Sequence, residues 1–139
     1  MRRDRGITLI EVMVSVIIVG FLAAMAIPRY VYSTTRTQQK EALKILKQIY
    51  VMQRAYFVEH ETYFIPPAGT EANAGNPTAF AGICVEILGS ARYTYTIQAA
   101  GAGFVAQAIA SDLDEDPAVD QWRIDDHGVL SAVSDDALQ

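Results

Sequence analysis

Hydrophobic and polar positions follow three rhythms along this chain. From Ile7 to Ile27 the run is almost wholly apolar, interrupted only by Thr8, Glu11 and Ser15. Counted from Ile7 it is 21 residues, enough to cross a bilayer, which takes about 20. Counted from Val12, beyond Glu11, it is 16, short for a simple span. From Arg29 to Phe57 the period becomes helical. Ala42, Ile45, Leu46, Ile49, Met52 and Tyr56 recur three or four apart, while Lys40, Glu41, Lys44, Lys47, Gln48 and Arg54 fill the other face. The pattern predicts one long helix over about 7–60, ending before Pro66 and Pro67. Pro28 removes one backbone hydrogen bond within it and predicts a kink or local melting.

Beyond the helix, Ile65 to Ala79 is rich in Pro, Gly, Ala, Asn and Thr and reads as a surface loop. The period then changes to two. Ile83–Leu88, Arg92–Gln98, Phe104–Ala110, Gln121–Asp125 and Val129–Val133 read as short strands. Ala99–Gly103 reads as a hairpin loop and Asp126-His127-Gly128 as a tight turn. Connections this short predict an antiparallel sheet. The expected fold class is therefore α+β: a long N-terminal helix whose C-terminal half packs on a small antiparallel β-sheet.

Charge changes the picture in one respect. The 139-residue chain carries a formal net charge of -5. Arg2, Arg3 and Arg5, against Asp4, make the first six residues basic, so the remainder is more acidic still. An acidic body argues against nucleic acid as the main partner, because phosphate binding needs a basic surface. Cys84 is the only cysteine, which excludes an internal disulfide; it reads as a small buried hydrophobe in a strand, with an intermolecular bridge as the alternative. His60 and His127 each lack a second His or Cys at ligand spacing and read as surface or turn residues. No nucleophile elbow or phosphate loop is present, and the sequence points away from an enzyme. Tyr30 and Tyr32, just past the apolar run, suit a membrane interface. Tyr56 and Phe57 are placed to pack under the sheet, which explains the aromatics better than electron conduction does.

The informative motif is Gly6-Ile7-Thr8-Leu9-Ile10-Glu11-Val12. A basic leader ending in Gly, then a hydrophobic residue and Thr-Leu-Ile-Glu, resembles the cleavage site of the type IV pilin and pseudopilin family. The family more often has Phe or Met where Ile7 stands. Pro28, 22 residues after the junction, and the helix-loop-sheet order extend the resemblance. It implies a leader peptide at 1–6, a hydrophobic transmembrane or filament-core helix at 7–28 and a soluble headgroup at 29–139. It further implies cleavage between Gly6 and Ile7 by a prepilin peptidase, methylation of the Ile7 amine, and residence in the inner membrane before assembly into an extracellular filament. Its partners are then membrane lipid, the inner-membrane assembly machinery and identical subunits in a helical homopolymer. Glu11 supports the same reading on physical grounds. A carboxylate inside an apolar helix costs roughly 2.5–3.5 kcal/mol on insertion scales and usually has a partner or a function. The new amine at Ile7, one turn away, is such a partner, in its own chain or a neighbour. Snorkelling to the interface is the plainer alternative.

The resemblance leaves two functions open. One is a type IV pilus subunit serving adhesion, motility or DNA uptake; the other is a pseudopilin of a type II secretion system. A signal-anchored globular enzyme is the third possibility and predicts an uncut leader. A separate expectation concerns Asp112, Asp114, Asp116 and Asp120, at relative positions 1, 3, 5 and 9 of one short run. That alternation is similar to the start of an EF-hand-type calcium loop, where oxygen ligands converge on a hard cation. Pro117 stands where such a loop needs Gly, and Arg123 where it needs a bidentate Glu. The alternative is a solvated acidic turn whose Asp side chains cap nearby N–H groups.

Overall fold

A computed structural model describes residues 7–111, 113 and 119–134. The chain divides into two compact units, Met1–Thr34 and Thr35–Gln139. One helix, α1 (Leu9–His60), supplies the described helical residues of the first and the helical layer of the second. In the first unit α1 continues through Pro28 without a break. The single chain thus shows no melting at Pro28, where proline removes one bond; the kink or melting expected between about Ala23 and Pro28 concerns the helix packed in a filament.

In the second unit α1 buries a stripe at three- and four-residue spacing: Thr35, Gln39, Ala42, Leu46, Ile49 and Gln53, with Ile45 beside it. The four apolar positions expected at its centre are all buried, while Met52 and Tyr56 sit at the margin of the core. Three polar residues complete the stripe, and each lies within one or two turns of the apolar ones. The helix ends as expected at His60, whose ring stacks on Tyr56 at 4.0 Å between centroids. Glu61 then turns the chain at φ 56 while its N–H donates to the Phe57 carbonyl at 2.8 Å.

The sheet is a four-stranded antiparallel meander in the order β1 (Thr94–Ala100), β2 (Gly103–Ala110), β3 (Asp120–Asp125) and β4 (Leu130–Ser134). Alternate side chains of β1 and β2, among them Tyr95, Ile97, Phe104, Ala106 and Ala108, join Ile124 and the helical stripe in one buried cluster. Ala100 pairs with Gly103, so the first hairpin turns on Gly101 and Ala102 alone, with Gly101 at φ 61. A positive φ at the first central position is the signature of a II′ turn, which glycine adopts without strain. At the second hairpin the Asp125 carboxylate accepts from the N–H groups of His127 (3.0 Å) and Val129 (2.8 Å).

The fifth expected strand, Ile83–Leu88, is not one. Ile83, Val85 and Ile87 are buried and their neighbours exposed, which is the strand pattern. The backbone instead makes a 3₁₀ turn over Ala81–Ile83, reverses at Cys84 with φ 53, and bonds locally, Val85 N–H to Phe80 O and Ile87 N–H to Pro77 O. Alternation records which side chains meet the core; it does not record whether a partner strand is there to pair. Cys84 is accordingly corrected as well: it is exposed, at the αL position that ends the 3₁₀ turn.

Candidate functional site

The residues that carry the cleavage motif stand at the start of α1. Gly6 lies outside the described residues; Ile7 and Thr8 precede the helix and Leu9 opens it. Thr8 is the N-cap. Its hydroxyl and its carbonyl accept from the Glu11 N–H at 3.3 and 3.1 Å, and its carbonyl also takes the Val12 N–H at 3.3 Å. Thr8-Leu9-Ile10-Glu11 thus has the spacing of a capping box, Thr at the cap and Glu three residues on. A carboxylate in the first turn also sits at the positive end of the helix dipole. The sequence carries this signal, a Thr followed three residues later by Glu before an apolar run.

Ile7, Glu11 and Ser15 follow one another at one-turn intervals and, with Val12 and Val16, line one shallow groove on the helix surface. The Ser15 hydroxyl donates to the Glu11 carbonyl at 2.7 Å. The Glu11 side chain is exposed and lies one turn from Ile7. The apolar residues around it are exposed too: Leu9, Val16, Ile17, Phe21 and Leu22 all show more than half their surface. α1 is long and apolar enough here to cross a membrane, and none of its most apolar stretch is buried within the chain. An apolar face of this extent needs lipid or protein to cover it.

The acidic run is divided. Asp112, Asp114 and Asp116 lie outside the described residues. Asp120 opens β3 and is fully buried. Its carboxylate accepts hydrogen bonds from the Tyr93 hydroxyl, from Trp122 Nε1–H at 2.8 Å and from Gln39 Nε2–H at 3.2 Å. A cation placed there would have to displace these donors, which tie β3 to α1 and to the start of β1.

Comparison with known proteins places the motif. The family described as the prokaryotic N-terminal methylation motif matches residues 1–27. The chain is 42% identical over 76 residues to the type IV major pilin protein PilA of Myxococcus xanthus, covering 53% of this chain and 34% of that one. It is 29% identical over 113 residues to a fimbrial protein of Neisseria meningitidis, covering 81% and 60%. It is 30% identical over 78 residues to the type II secretion system core protein G of Aeromonas hydrophila, covering 56% and 54%. The matches thus span between about a third and three fifths of these relatives. No solved structure matches the chain. Motif, relatives and the arrangement of one long helix with a small antiparallel sheet agree: the chain carries the N-terminal methylation motif and resembles the type IV pilin and pseudopilin family.

Proposed function

We propose that the chain is the precursor of a type IV pilus subunit, cut after Gly6, methylated at Ile7 and polymerised through the apolar part of α1. The observation that carries the reading is the exposed apolar stretch of α1, 9–27, whose single acid, Glu11, lies one turn from the cleavage junction. As a precursor the helix is covered by the inner membrane; after cleavage the same face is covered by other subunits. The soluble unit supplies the filament's outer surface, and its task is contact, in adhesion, motility or DNA uptake. Most of the relatives that match are named as pilins or fimbrial proteins, which favours the pilus. The similarity to a secretion-system core protein favours a pseudopilin as the second reading.

The test is Gly6→Val. A branched side chain at the position where the peptidase accepts glycine should leave full-length precursor in the membrane and no surface filaments. Mass spectrometry of the N-terminus in sheared filaments of the unaltered chain should find methylated Ile7. Mature protein and normal filaments from Gly6→Val would overturn the processing step. Filaments lost on deletion of the gene support the pilus; loss of an exported protein with surface pili intact supports the secretion system.

A further inference from the structure

The outward face of α1 in the second unit is charged in a way the rest of that unit opposes. Lys40, Lys44 and Lys47 recur at helical spacing, all exposed, on the side away from Ala42, Leu46, Ile49 and Gln53. Among the described residues none of the three makes an ion pair or a hydrogen bond through its side chain. Further along the same face stand Val51 and Val58, 59% and 81% exposed. From residue 35 to 60 the bases are Arg36, Lys40, Lys44, Lys47 and Arg54, against Glu41 and Glu59. Beyond His60, Arg92 and Arg123 stand against twelve acidic side chains. A basic stripe with apolar residues at its upper end, on an otherwise acidic unit, is complementary to that unit itself.

We propose that this face docks a second copy of the chain, with Lys40, Lys44 and Lys47 of one copy set against Glu59 and Glu61 of the next. This rests on the filament reading and adds to it what sets the register of the soluble units. Glu59, in the last turn of the same helix, and Glu61, just past its end, are both exposed. Matching one end of a rigid element to the other end of its neighbour is a heterologous contact, and repetition of such a contact builds an open helical polymer. Copies that carry net negative charge repel at long range, so a local patch of opposite sign is what permits close approach. Val51 and Val58 then lose water against the neighbour, while the lysines select which neighbour and at what offset.

The experiment uses sheared filaments of the full chain, treated with a carbodiimide that joins amine to carboxylate with no spacer, then digested and analysed by mass spectrometry. The expected links join Lys44 or Lys47 to Glu59 or Glu61. At 1.5 Å per residue about 18 Å of helix separates Lys47 from Glu59, so such a link forms only between copies. Links from these lysines to Asp112, Asp114, Glu115 or Asp116 in their place would overturn the proposal. In a second arm, Lys44→Glu with Lys47→Glu should be cleaved normally but yield at least about fivefold less filament at low salt. Glu59→Lys with Glu61→Lys in the same chain should restore the yield. Unchanged yield from the lysine variant, with wild-type filaments present, overturns the docking alone; a wild-type chain that forms no filaments overturns the filament reading and the docking together.

Discussion

Gln53 and Tyr95 are both fully buried polar residues, and they are handled in opposite ways. Gln53 Nε2–H donates to the Phe64 carbonyl at 2.7 Å while its Oε1 accepts the Phe64 N–H at 2.9 Å. One amide thus stands in for a strand partner and ties the segment after the helix back to it. Gln53→Leu keeps the volume but strands both backbone groups. The expected loss is about 2–3 kcal/mol, seen in denaturant unfolding followed by the Trp122 signal; a loss under about 0.5 kcal/mol would mean that water replaces the amide. The Tyr95 hydroxyl has no hydrogen-bond partner among the described residues. Burial first, and the nearby Glu41 charge second, push its pKa well above the ordinary 10.0. A group whose folded pKa is raised favours the fold fully below its unfolded pKa, and that contribution is lost as pH rises through the folded one. The chain should therefore lose stability above about pH 10. Tyr95→Phe should blunt that alkaline loss and leave stability at neutral pH unchanged or up to about 1 kcal/mol higher, since no bond is broken; a large loss at pH 7 would show that the hydroxyl has a partner after all. Neither residue was legible beforehand. A polar residue on a helix reads as solvent-facing, and only its three- and four-residue spacing from Ala42, Leu46 and Ile49 hints otherwise.

The elements were readable where one physical cause acts alone. The long helix follows from sustained periodicity, and the two hairpins from Gly101 and Gly128, which both take positive φ. Ile83–Leu88 failed because burial and pairing are separate requirements, and its alternation satisfied only the first. What fixes that segment is the fit between the 3₁₀ turn and the residues after the helix. A Cβ on Gly82 would clash with the edge of the Phe64 ring, the residue that Gln53 holds by its backbone. Gly82→Ala should thus displace Phe64 and lower the melting temperature by several degrees, a cost of about 1–3 kcal/mol. Gly89 has open space around its Cβ position, and Gly89→Ala serves as the control with no such loss. Equal melting temperatures for the two variants would mean that the ring swings aside freely.

For the whole molecule, the proposed assembly makes the role of Glu11 the question to test, and two readings compete. Three residues after the Thr8 cap, its side chain has the spacing to complete a capping box and support the start of α1; as the acid of an apolar stretch it would, on the proposed function, pair with an amine at Ile7. The motif makes the second reading legible in the sequence; the first rests on the Thr8 hydroxyl, which accepts from the Glu11 N–H and so marks Thr8 as the cap. Two substitutions separate them. Glu11→Gln keeps a side chain that can fill the capping box but carries no charge, whereas Glu11→Ala removes both functions. Each makes the helix a better membrane span, so neither fails by missing the membrane, and both should still be cut at Gly6. If pairing with the amine drives assembly, the two variants yield equally few filaments, because an amide cannot neutralise an ammonium. If helix capping is the requirement, Glu11→Gln recovers most of the wild-type yield and Glu11→Ala does not. The pairing account predicts the first result, measured as sheared filament against mature protein left in the membrane. Substantial recovery by Glu11→Gln would transfer the role of Glu11 from joining subunits to shaping the end of its own helix.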